Sequence, residues 1–364
     1  MRKFERRIMV IGTAIFALHG QFAMSTTLNL GSVPLGSTVD IYASDTAILS
    51  GLNLRGTVNN HGLMKESAPS NVELRGTLNN DGNIFFESYI NAGPLSLTNH
   101  PDGYIVMTNY IDAYQQSTIE NAGTLVVANS LGDGIYLGPK TEPFTYMFQG
   151  IIHNTGKILI NRKNSPGFEN VCQEQNRIMT VRNEGYFEIA SGSLCDWGSN
   201  PQTQITKATY VQDRGETRID GTFGAHEIAI NKGVLSGIGT IQGNFNNSLS
   251  SAVTVSPGAP LGTLTIAPDG GNLICLGCSV SIELAGNQSA DQFHVDGNIT
   301  MNGWNLNVQL RDGYLPAVGT NFTVVSANLI YYWGMEPTYN LPKLPDGRTW
   351  SVQNTGTEVI LTAN

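Results

Sequence analysis

The chain has 364 residues, 41 of them glycine, with 13% charged residues, 8% aromatics and a net charge of −9. Sparse charge, frequent glycine and the lack of any amphipathic helical run after residue 25 point to extended β structure rather than helical or mixed domains. A negative balance disfavours nucleic acid and anionic membrane surfaces as partners.

Residues 1–25 read as a secretory signal peptide. Arg2, Lys3, Arg6 and Arg7 precede the apolar run Ile8 to Leu18, and the small residues Ala23 and Ser25 stand at −3 and −1 of a cleavage site before Thr26. The run is too short and wrongly flanked for a membrane span, and no later stretch is long and apolar enough for one. Cleavage removes four basic and one acidic residue and moves the charge from −9 to −12. The mature chain is expected to be exported, to the cell surface, the medium or the periplasm, with no integral membrane segment.

Two blocks follow, 26–233 and 234–364. After a stretch, Leu28 to Ile41, expected to cap one end of the fold, the phrase Leu-Arg-Gly-Thr-φ-Asn-Asn (φ apolar) occurs at Leu54–Asn60 and again at Leu74–Asn80. Gly62 and Gly82 follow the two copies, and looser copies of φ-x-Asn-x-Gly-x-φ-x-φ surround Asn121, Asn154 and Asn183. A segment at Leu97–Met107 carries two extra residues before its Gly103. Each copy reads as strand, tight turn, strand, with Asn and Gly tolerating positive φ at the turn. A strand-only repeat of about twenty residues fits a β-solenoid with rungs about 4.8 Å apart. The wider intervals after Gly123 place extra residues in loops on one face. The recurrent Asn60, Asn80, Asn121, Asn154 and Asn183 are expected to form an amide ladder along the stack rather than a ligand face.

His61, His100 and His153 lie beside these turns but share no common offset, so they read as corner residues rather than metal ligands. Four cysteines, Cys172, Cys195, Cys275 and Cys278, are candidates for disulfides in an exported chain, with Cys172–Cys195 the natural loop staple and Cys275–Cys278 the remainder. The Cys275-Leu-Gly-Cys278 spacing leaves a zinc site as the rival. Catalytic carboxylates would need to cluster, and Asp112, Asp133, Asp196, Asp213 and Asp220 occupy no shared repeat position. Aromatic residues in irregular segments are the candidate binding loops: Tyr136, Phe144 and Tyr146, and later Tyr331, Tyr332 and Trp333. Padding of the coil ends is the competing role for the later group.

From Val234 the style changes. Leu235-Ser-Gly-Ile-Gly239-Thr-Ile-Gln-Gly243-Asn-Phe is followed by Val255-Ser-Pro257-Gly258 and Gly262-Thr-Leu-Thr-Ile266, then Asp291-Gln-Phe-His-Val-Asp-Gly297. Residues 234–364 resemble the passengers of bacterial autotransporters and related exported β-helix proteins, while the earlier repeats match only in style. The resemblance implies an all-β, right-handed, single-stranded parallel β-helix (solenoid) with capped ends, the segment after Leu315 forming the second cap. The chain departs from autotransporters in having no room for a membrane β-barrel after the passenger-like part. The function expected is non-catalytic, adhesion or presentation of binding loops toward host or cell-surface glycans or proteins, with no cofactor or metal. A carbohydrate-active β-helix lyase or hydrolase is the alternative.

Overall fold

The computed structural model describes residues 25–67, 72–88, 90–108, 111–113, 117–128, 135–137, 148–161, 177–197, 206–246, 248–258, 261–286 and 289–364. The protein is all-β and its strands stack in parallel ladders, the architecture of a parallel β-helix. Two compact units, residues 1–181 and 182–364, divide the chain.

In the first unit each turn of the coil contributes three short strands to three ladders. The first face stacks Thr38–Ile41, Thr57–Asn60, Thr77–Asn80, Ser96–Asn99, Ser117–Asn121 and Phe148–Asn154. A second face begins with the first halves of Thr27–Val33 and Thr46–Leu54 and continues through Leu63–Glu66, Asn83–Phe86, Tyr104–Met107, Thr124–Val127 and Lys157–Ile160. The third face takes the second halves of those two long strands, then Val72–Leu74, Ile90–Ala92, Ile111–Ala113 and Ile135–Leu137. Thr57 pairs with Thr77 and Asn60 with Asn80, so the twenty-residue echo is one turn of the coil. Leu28–Ile41 is not a separate cap: its strands are in register with Ala47–Leu54 and Val58–Asn60, which makes it the first rung.

Alternation fills the interior. In Thr77–Asn80 the second and fourth side chains are buried and the others face out, and the same pattern runs through Thr57–Asn60 and Ser96–Asn99. Val58, Leu78, Leu97, Ile119 and Ile152 form one apolar column, each contributing roughly 1.5–3 kcal/mol by burial.

The corners correct one expectation. Neither the repeat asparagines nor Gly62, Gly82, Gly103, Gly123 and Gly156 have positive φ. Glycine is required there by contact: a Cβ on Gly82 would lie 2.2 Å from the Gly62 carbonyl oxygen, and one on Gly123 would lie 2.2 Å from that of Gly103. Successive rungs approach too closely at this corner for any side chain on the glycine. The two extra residues before Gly103 are absorbed in a turn closed by Gly103 N–H donating to the His100 carbonyl at 2.8 Å. The additional residues of the longer Gly123–Gly156 interval flank Ile135–Leu137 and lie outside the described residues.

The second unit, taken by itself, is built of two parallel ladders. One runs Tyr186–Ile189, Glu216–Ile219, Gly233–Gly237, Val253–Pro257, Ser279–Leu284, Asn305–Leu310 and Thr338–Asn340. The other runs Thr222–Ile230, Thr240–Phe245, Thr263–Pro268, Gln292–Asn302 and Asn321–Tyr332, with Leu249–Ser250 and Asn272–Leu276 joining at Gln292–Asn302. The compositional change at Val234 therefore falls inside a continuous ladder. A cluster of Phe187, Tyr210 and Phe223, with centroids 5.1–5.6 Å apart, thickens the core. The segment after Leu315 does close the stack. Glu358–Ala363 pairs antiparallel with Asn321–Tyr332, and Trp350–Asn354 pairs antiparallel with Glu358–Ala363. Reversing strand direction interrupts the parallel template that an open rung edge would offer.

Candidate binding surfaces

The asparagine column is internal and structural. Asn60 Nδ2 donates to Asn80 Oδ1 at 2.7 Å, Asn80 to Asn99 at 2.8 Å, Asn99 to Asn121 at 2.7 Å and Asn121 to Asn154 at 2.7 Å. All five are buried, and each amide also donates to the carbonyl of the corner glycine that follows, for example Asn80 to Gly82 at 3.0 Å. Asn99 belongs to the ladder although its spacing to Gly103 disguised it in the sequence; its position four residues before a corner glycine and one turn after Asn80 was the available signal. In the second unit Asn183 repeats the motif, donating to the Glu216 carbonyl at 3.2 Å. Gln212 fills the corresponding role near Gly215, its Nε2 donating to the Lys232 carbonyl at 2.9 Å and its Oε1 accepting from the Thr217 hydroxyl, which is itself bonded to Tyr210. Burial pushes the Tyr210 phenol above its ordinary range, so it stays protonated inside this network.

The charged candidates are engaged in local pairs. His61 lies 2.9 Å from Asp81 and His153 2.9 Å from Glu120, each pair bridging adjacent rungs on the outside. Asp213 pairs with Arg182 at 2.7 Å and Asp220 with Arg218 at 2.9 Å. Asp133 and the side chains of Asp112 and Asp196 lie outside the described residues. Among the described residues no three His, Cys, Asp or Glu side chains converge as a metal site.

Cys275 and Cys278 are joined in a disulfide across a corner, Cα atoms 5.4 Å apart, with both side chains buried. The zinc reading of this pair is thereby replaced, because each sulfur is bonded to the other and unavailable as a thiolate ligand. Cys195 is buried, and Cys172, its expected partner, lies outside the described residues.

Asp291 was not singled out by the sequence, and among the described residues it is the one carboxyl with a clear upward shift. Burial pushes it up to about 6, against the pull of the two backbone N–H groups it accepts from, Gly262 on Oδ1 at 3.1 Å and Glu283 on Oδ2 at 2.9 Å. It is almost fully enclosed and lies against Gly258, where an added Cβ would meet its Oδ1 at 2.1 Å. The carboxylate thus ties Gly262 to Glu283, with both oxygens engaged and none directed to solvent.

Of the aromatic candidates, Tyr136 lies in Ile135–Leu137 with its side chain outside the described residues, as are Phe144 and Tyr146 altogether. Tyr331, Tyr332 and Trp333 are described, and they are 51%, 38% and 69% exposed. Next to Tyr332 lies Trp304, fully buried and in edge contact with Tyr339 at 6.1 Å. The Trp304 indole N–H lies close to the Tyr332 hydroxyl without completing a hydrogen bond. Met335, Leu315 and Val318 are exposed as well.

These features define the class of the protein, a parallel β-helix stabilised from within by an amide ladder and closed by an antiparallel hairpin. No protein-family model matches the chain, and no curated protein matches it either. Among the described residues no helix is long and apolar enough to cross a membrane.

Proposed function

We propose that this chain is an exported, non-catalytic β-helix of autotransporter-passenger type whose coil is a scaffold for a binding surface, acting in adhesion or presentation at or outside the cell surface. Its partners on this reading are host or cell-surface glycans or proteins. The observation that carries it is the joint exposure of Tyr331, Tyr332 and Trp333 at the end of the Asn321–Tyr332 strand. Large aromatic groups held in water on a rigid ladder suit contact rather than padding. The amino-terminal signal pattern and the passenger-like residues 234–364 support export.

A polysaccharide lyase or hydrolase of β-helix type is the competing reading. It would need accessible, paired carboxylates, and the carboxyl with the raised pKa, Asp291, has both oxygens on backbone N–H groups. Fractionating a native culture tests the proposal, with recovery at the surface or in the medium expected. Purified protein is expected to bind cells and to lose that binding in Tyr331→Ala and Trp333→Ala without a change in melting temperature. Cytoplasmic recovery, or turnover of an acidic polysaccharide, would overturn it.

A further inference from the structure

In the second unit the ladder that ends at Asn321–Tyr332 carries two exposed outward ranks. Ile274, Thr300 and Tyr331 stand in register on successive rungs. Leu276 and Asn302 stand beside them, and Trp333 extends the second rank, its N–H donating to the Met301 carbonyl at 3.1 Å. Residues two apart on a strand share a side, so Ile274, Leu276, Thr300, Asn302 and Tyr331 form one platform, about 10 Å across the rungs and about 7 Å along them, and Trp333, one residue past the strand end, adjoins it. Ile274 and Leu276 are exposed at one margin, Tyr331 and Trp333 at the other, with Thr300 and Asn302 half-buried between them.

The central polar groups have hydrogen-bonding capacity to offer. Among the described residues the Thr300 hydroxyl has no partner. Asn302 uses Oδ1 to accept from the Met335 N–H at 2.8 Å, which leaves its Nδ2 donors uncommitted. None of the six side chains carries a charge at neutral pH. Burial raises the adjoining phenols Tyr332 and Tyr339 above their ordinary range, and the nearby Glu336 carboxylate adds to the rise.

We propose that this platform binds a neutral oligosaccharide, a sugar ring lying against Tyr331 and Trp333 while Thr300 and Asn302 hydrogen-bond its hydroxyls. A pyranose presents an apolar C–H face and an equatorial rim of hydroxyls, and the platform presents ring faces beside an uncommitted hydroxyl and amide. Acidic glycans are disfavoured by Glu336 and by a chain of net charge −9. An organic cation would want converging rings, but Tyr331 and Tyr332, adjacent on a strand, project to opposite sides and form a ridge. A second copy of the chain would need roughly 800 Å² per partner for a stable contact, far beyond these six residues.

This inference rests on the scaffold reading above. Its test uses the purified full chain in affinity gels and fluorescence titrations with a soluble β-glucan, a galactomannan and chitohexaose, and with polygalacturonate as the acidic comparison. The expected result is retardation by at least one neutral polymer, insensitive to salt, weakened about tenfold in Tyr331→Ala and in Trp333→Ala. Thr300→Val, which keeps the strand-forming shape, should weaken it severalfold, and all three variants should melt as wild type. Failure of every neutral polymer to bind, binding unaltered by the variants, or preference for polygalacturonate would overturn the proposal. So would a concentration-dependent dimer that Trp333→Ala converts to monomer. Cell adhesion that is lost in Trp333→Ala while no neutral polymer binds sinks the glycan platform and leaves the scaffold reading standing, whereas cytoplasmic recovery sinks the scaffold reading whatever Trp333 binds.

Discussion

Asn79 and Asn80 are neighbours of the same type on one strand, one facing out and the other in, so replacing each by Ala isolates what the interior amide ladder contributes. Asn80→Ala removes the bonds from Asn60 at 2.7 Å, to Asn99 at 2.8 Å and to the Gly82 carbonyl at 3.0 Å. Asn60 Nδ2 keeps acceptors in the Asn83 and Gly62 carbonyls, but Asn99 Oδ1 is left buried with no amide donating to it. Two lost amide–amide bonds at about 1 kcal/mol each and one orphaned acceptor at about 1–3 kcal/mol give a loss of roughly 3–5 kcal/mol. Asn79→Ala removes one bond, to Asn59 at 2.8 Å, on the outer surface, and should change stability by less than about 1 kcal/mol. All four tryptophans, at 197, 304, 333 and 350, lie outside the first unit, so far-UV circular dichroism and amide exchange in urea, not fluorescence, are the readouts. A difference between the two variants below about 1 kcal/mol would falsify the claim that the ladder stabilises the coil.

Other positions offer independent checks. Gly82→Ala places a methyl 2.2 Å from the Gly62 carbonyl and should cost about 3 kcal/mol or more, whereas Gly347→Ala, with φ +73 and open space around it, should cost about 1 kcal/mol; equal melting temperatures would contradict the close-approach argument. Asp291 has a folded pKa near 6 against an ordinary value of 3.8, so its contribution is most favourable below about pH 4 and is lost as pH rises through 6. Melting curves of wild type and Asp291→Asn across that window should diverge in slope, and parallel profiles would remove Asp291 as the cause. The Cys275–Cys278 bridge closes a very short loop, so Cys275→Ser with Cys278→Ser should lower stability by only about 2 kcal/mol, and thiol labelling of the native protein should find this pair unreactive.

The coil was legible because its signals are local. Alternation with period two tells which side chains face in, and an Asn–Gly pair returning after one turn marks a corner, so Leu54–Asn60 and Leu74–Asn80 revealed both the rung and its length. What the corner requires was misread. Positive φ and close approach both select glycine, and a sequence shows only the glycine; the carbonyl of Gly62 sitting where the Gly82 side chain would go belongs to the next turn of the coil. Leu28–Ile41 differs from the expected cap for a related reason, since its irregular sequence hides a register with Ala47–Leu54 that only strand pairing displays.

From residue order alone the chain reads as a β-solenoid with an amide ladder along its stack, because both properties repeat over a length shorter than one turn or equal to it; that the ladder lies in the interior is seen only in the fold. Tertiary structure alone decided which surfaces exist on that coil. Tyr331 stands beside Thr300 and Ile274, and Asp291 reaches the N–H of Gly262, only because intervening loops bring each turn back to the same angular position. The physical reason is that a solenoid's core depends on local alternation, whereas its outer face is assembled from residues whole turns apart.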